Sequence, residues 1–133
     1  MIDLNAWSPR VLSLLRLITA LLFMEHGLMK LFHFPAQQPG VPAGGLPTIL
    51  MVAAWLEVVG GGLVAIGLFT RPVAFVLSGE MAAAYFMAHM KTSIWPALNG
   101  GDAAILFCWV FFFLVFAGGG AWSADALLAR KKA

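Results

Sequence analysis

Charge and cysteine are what this sequence has least of. Charged side chains make up 11% of its 133 residues, Asp and Glu together number six, and Cys108 is the single cysteine. A lone cysteine excludes an intramolecular disulfide and a CxxC redox couple. The sequence also lacks a cysteine cluster, a CxxCH haem-attachment motif and a glycine-rich nucleotide loop, so no electron carrier is expected on the chain itself. The eight basic residues are scattered and gather only toward the termini. That distribution argues against a nucleic-acid partner and for control of membrane orientation.

What fills the chain instead is apolar: 62% of its residues are hydrophobic, against roughly half in an average soluble domain. It reads as one membrane domain over residues 1–133. Four runs approach the ~20 helical residues needed to cross a ~30 Å hydrocarbon core: Val11 to Phe34, Leu46 to Phe69, Pro72 to Met90 and Asp102 to Ala117. The expected fold is all-α, a polytopic membrane four-helix bundle. A soluble bundle would need a polar stripe on every helix, and Phe111 to Phe116 leave none. Phe34 to Gly45 reads as a loop, and Thr70, Arg71 and Pro72 as a tight turn into the third helix.

Arg10, Arg71, Arg130, Lys131 and Lys132 fall at one face, with Lys91 and the end-of-helix Lys30 at the other, so both termini are expected to be cytoplasmic. Met1 to Ser8 has no basic n-region, and the first helix is expected to remain in the mature protein. Small residues at Gly61 and Ala65, and at Ala84 and Ala88, beside the Gly60 to Gly62 triplet, suit close helix approach.

Polar residues inside the apolar runs are where function is to be sought, because an ionised group at mid-bilayer depth costs roughly 2.5–3.5 kcal/mol on insertion scales. Glu25, Glu57 and Glu80 each lie in a different run, and Arg16 and His26 share the first. Counting ~1.5 Å per residue sorts them into two layers. Arg16 is expected to meet Glu80 in the inner layer; Glu57, Glu25, His26 and His89 are expected to converge further out, with Lys30 one turn from His26.

The plain structural alternative is that these groups satisfy one another between helices. Two carboxyls beside one imidazole cannot all be ionised cheaply, however, so one is expected to hold a proton. Glu57 and His26 are therefore the candidate acid–base residues. His26 and His89, without a spacing signature, specify neither haem nor metal, and no metal site is expected. The Asn99, Gly100, Gly101, Asp102 segment reads as a turn into a helix whose N-terminus Asp102 complements, where the polar head of an amphiphile can also sit.

Arg16, Phe23, His26, Gly27 and Lys30 in the first run, Glu57, Gly61, Gly67, Thr70 and Arg71 in the second, Ala84 and His89 in the third, and Asn99 to Gly101, Gly118 to Gly120, Trp122, Ser123 and Asp125 beyond it occur together in order. In these the chain resembles the DoxX family of small four-helix membrane proteins. Glu25, Glu80 and Asp102 depart from the family pattern. The resemblance implies a multi-pass protein of the bacterial cytoplasmic membrane, a subunit associated with quinone-linked oxidoreduction or with oxidative and thiol stress. On that footing the cofactor is a quinone, placed against His26, Glu57 and Lys30, with Glu25, His89 and Asn99 as further binding candidates; a redox partner protein would supply electrons. The alternatives are a non-enzymatic assembly protein that recruits partners in the lipid bilayer, and a small transporter or proton conductor, which would require a homo-oligomer.

Overall fold

In a computed structural model that describes residues 3–42 and 44–132, all regular structure among the described residues is helical. Helix α1 spans Leu4–Phe32. Asp3 opens it by accepting from the backbone N–H groups of Asn5 and Ala6 at 3.0 and 3.4 Å, which satisfies donors that an uncapped helix leaves orphaned. This cap extends the helix N-terminally past Val11, where the apolar run begins. His33 closes it in the left-handed conformation, its N–H bonded to the Leu28 carbonyl.

Helix α2 spans Thr48–Ile66, with a π-helical stretch over Leu56–Gly60. It stops at Gly67, whose φ of 71° is open to glycine without a Cβ clash. The turn itself is Gly67 to Phe69; Thr70, Arg71 and Pro72 belong to the first turn of the next helix, where the missing proline N–H breaks no bond. That helix, α3, is α-helical over Thr70–Ala84 and ends in a π-helical stretch over Tyr85–His89. A single turn, α4 (Pro96–Asn99), leads to α5 (Asp102–Ala117) and, after a glycine turn, to α6 (Ala124–Lys132).

Two helices, α1 and α2, are long and apolar enough to cross a membrane. With 29 residues, α1 is ~43 Å long and exceeds the ~30 Å hydrocarbon thickness.

Helix α1 packs along α2, and α3 along α5. Glycine decides how closely the first pair approaches. A Cβ at Gly27 would lie 2.7 Å from the Ala54 carbonyl oxygen, and Gly61 faces the Ala20 carbonyl. Small residues at such crossings permit the backbone contact that drives association in lipid. Ala88, by contrast, is exposed. Between the pairs the Phe23 ring meets Phe111 at 4.8 Å and Phe107 at 5.4 Å, both edge-on, with Ala20, Val64, Leu77 and Leu114 fully buried around them. The start of α1, the α2–α3 turn and the C-terminal segment share one end of the molecule: Ala121 N–H bonds the Pro9 carbonyl at 3.0 Å, and Asp125 N–H the Gly67 carbonyl at 2.9 Å.

A buried Lys30–Glu57–Glu80 cluster as the candidate functional site

Lys30 donates to both carboxylate oxygens of Glu57, at 2.5 and 2.6 Å, with the two side chains only 8% and 4% exposed. Helical side chains tilt toward their own N-terminus. Since α1 and α2 run antiparallel, Lys30 leans toward the Arg16 end while Glu57 leans the opposite way, and the two meet between their backbones. Gly27, just under one turn before Lys30, admits α2 at the required distance. Glu57 lies in the π-helical stretch, which shifts its side chain off the regular α-helical stripe. Lys30, in the last turn of α1, is thus a buried partner of Glu57.

Glu80 completes the cluster from α3, within Coulombic range of Glu57 and Lys30. Both of its carboxyl oxygens are buried and, among the described residues, neither has a hydrogen-bond partner. One ammonium faces two carboxyls, so charge balance is reached with one proton held by the pair. The expected contact between Glu80 and Arg16 does not form. The Arg16 side chain points toward the N-terminus of α1, away from Glu80. Its Nε donates to the Gly119 carbonyl at 2.8 Å, one terminal nitrogen to Trp122 at 2.7 Å, and the other to Val64 and Ala65. The last two are carbonyls of the final turn of α2, of which Val64 also accepts from the Gly67 N–H at 3.0 Å; a cation there complements the helix dipole.

The remaining candidates separate. His26 lies within Coulombic range of Glu57. Its Nδ1 is 2.9 Å from the Leu22 carbonyl, which can only accept, so Nδ1 is the donor; the ring packs edge-on against Phe107 at 5.8 Å. Glu25 does not converge with them. It is exposed, because two residues round the helix from buried Phe23 is ~200°, the opposite face. His89 and Asn99 meet each other instead, His89 Nδ1 lying 3.0 Å from the Asn99 carbonyl and the His89 ring stacking on Tyr85.

Asn99 shapes its own loop: its side chain accepts from Gly101 N–H at 2.7 Å and donates to the Ser93 carbonyl at 2.7 Å. Asp102 makes no side-chain cap to α5.

Two roles escaped sequence reasoning. Arg71 donates to the Val115 and Phe116 carbonyls at 2.9 and 2.8 Å, serving the end of α5 as Arg16 serves α2. Asp125 accepts from Phe69 and Thr70 N–H, both at 2.9 Å, and so caps α3 from a distant segment. Burial pushes its carboxyl up, but the hydrogen bonds from Thr70 and Phe69 and the Arg16 charge outweigh that and hold it below the usual carboxylate range. Signals existed for both: a basic residue near helix ends, and an acid five residues past a glycine cluster.

A groove of about 420 Å³ runs along α2, lined by Met51, Val52, Trp55, Leu56 and Val59. Neither Lys30, Glu57 nor Glu80 lines this apolar space, which lies on the outward face of that helix. A wider cleft of about 630 Å³ lies at the other end, by Arg71, Gly118 and Asp125.

Long apolar helices wrapped around a buried ionic cluster define the class: an all-helical membrane protein. The family is equally plain, since residues 11–90 match the DoxX family model and the chain belongs to that family. It is 38% identical to an uncharacterized protein of Haemophilus influenzae, over 97% of this chain and 98% of that one. It is 27% identical to an uncharacterized membrane protein of Mycobacterium tuberculosis, over 96% of this chain and 87% of the relative. No solved structure matches.

Proposed function

We propose that this DoxX protein is a membrane subunit of quinone-linked oxidoreduction, crossing the bacterial cytoplasmic membrane with α1, α2, α3 and α5 and keeping both termini in the cytoplasm. The observation that carries the reading is the buried Glu80 carboxyl, unpartnered beside a Lys30–Glu57 pair that is already satisfied. A buried carboxyl with open hydrogen-bonding capacity suits a ligand that presents a carbonyl in one redox state and a hydroxyl in the other.

Reduction of a quinone to its quinol takes two electrons, here from a partner donor protein, and two protons. In this reading Glu80 hands on each proton in turn, Lys30 and Glu57 hold the local charge constant, and Nε2 of His26 accepts the proton that refills the site.

A second reading, an assembly protein held together by interhelical ion pairs, draws support from the closed, bidentate Lys30–Glu57 contact. Titrating a short-chain quinone into the purified chain in lipid discs, followed by calorimetry, separates the two. The redox reading expects binding by the wild type, retention in Glu80→Gln, and a loss of about tenfold in Glu80→Leu, equivalent to ~1.4 kcal/mol. Absence of binding by the wild type overturns it in favour of the assembly protein.

A further inference from the structure

Glu25 lies inside the apolar length of α1 yet faces outward, and among the described residues it makes no hydrogen bond or ion pair. It stands seven residues before the end of α1, ~10 Å in from that end, at a depth where lipid offers a carboxyl no partner. The face around it is patterned. Leu14, Ile18, Leu21, Glu25, Leu28 and Phe32 follow one another at alternating intervals of four and three. Leu14, Ile18, Leu21 and Phe32 are 50–60% exposed. The same alternation continues back through Val11 and Trp7. Such spacing is the 3.5-residue repeat of a helix–helix seam, in which a single polar position fixes register and partner number.

We propose that α1 pairs in parallel with α1 of a second copy of this chain, across a two-fold axis normal to the membrane, and that the two Glu25 carboxyls hydrogen-bond to one another at its centre. A two-fold parallel pair sets every seam residue opposite itself at equal depth, because an isologous interface uses the same patch twice. The single polar residue of the seam therefore meets its own counterpart, and two carboxyls in contact are satisfied by sharing a proton. No basic residue stands at a seam position, so nothing on this face calls for an acidic partner of another kind. Lipid chains cover the leucines as well as a helix does, but they leave Glu25 unpaired.

Single cysteines introduced at Leu14, Ile18, Leu21 and Glu25 in a Cys108→Ala background, then oxidised in native membranes, test the arrangement. Leu15 and Leu22, exposed but off the seam, and Phe113 on α5 serve as controls. The seam positions are expected to give disulfide-linked dimers at five times the control yield or more. Equal yields at Phe113, no dimers at the seam, or adducts with a protein of different mass overturn the proposal. Dimerisation measured by single-molecule photobleaching in lipid discs adds a readout free of cysteine: Glu25→Gln is expected to keep the dimer, and Glu25→Lys to reduce it tenfold or more. Dimers unaffected by Glu25→Lys contradict the proposal.

Discussion

Lys30 on α1 holds both oxygens of Glu57 on α2, and the pair is nearly sealed from its surroundings. Antiparallel helices, the glycine at Gly27 and the π-helical stretch at Glu57 produce this contact; its energetic consequence is asymmetric. Removing one member of a buried ion pair leaves a naked charge, whereas replacing both with apolar groups of similar volume can be neutral.

Lys30→Met is accordingly expected to destabilise the fold by ~3–5 kcal/mol, and the double variant Lys30→Met/Glu57→Leu to recover most of that. Unfolding of the purified protein in mild detergent with increasing denaturant measures both. Equal stability of single variant and wild type would show that the pair contributes nothing.

Arg16 binds four carbonyls where Lys can direct its donors at fewer and holds no planar fork. Arg16→Lys is expected to lose at least one charge-assisted bond, ~1.5–3 kcal/mol. Arg71, which is exposed, serves α5 in the same manner, and Arg71→Lys is expected to cost less than ~1 kcal/mol. The same unfolding assay ranks the two, and a larger effect at Arg71 would refute the account of burial.

Gly27 and Gly62 form a matched test of close approach. A methyl at Gly27 meets the Ala54 carbonyl and the Val58 side chain, while one at Gly62 meets nothing within 4 Å. Gly27→Ala is expected to destabilise by ~1–3 kcal/mol through forced separation of α1 and α2. Gly62→Ala is expected to be neutral or to stabilise by up to ~1 kcal/mol from helix propensity.

Asp125 links stability to pH. Its folded-state carboxyl titrates below the ordinary value of 3.8, so the contribution is fully present above 3.8 and is lost as pH falls through the lower folded value. At neutral pH Asp125→Asn is expected to cost ~0.5–2 kcal/mol, as loss of a helix cap does. Melting temperatures of wild type and variant are expected to converge as pH drops below 3.8; a gap that widens on acidification would contradict the assigned sign.

Much of this molecule could be read from its residues alone, and the reason is that apolar runs report helices and the scarcity of charge reports lipid. The all-helical chain and the DoxX family follow from such patterns. Helix rotation does not. Depth counting placed Arg16 near Glu80 but could not see that the arginine points the other way, toward the carbonyls of Val64 and Ala65. It put Glu25 with Glu57 because both lie at mid-depth, although a 100° step per residue turns Glu25 outward. The Lys30–Glu57 contact depended on the register between α1 and α2, which Gly27 and the π-helical stretch set jointly. Asp125 on Phe69 and Thr70 was hidden for another reason: the capping residue comes from a segment far along the chain.

The central claim is that Glu80, with Lys30 and Glu57, meets the head of a quinone. It is tested most directly by an oxidised-minus-reduced absorption spectrum of the protein gently extracted from its own membrane with lipid retained. The account predicts a quinone bleaching signal at near-stoichiometric yield in the wild type, much reduced in Glu80→Leu of unchanged helical content. A featureless spectrum from the wild type, persisting after quinone is added and washed out, would contradict it.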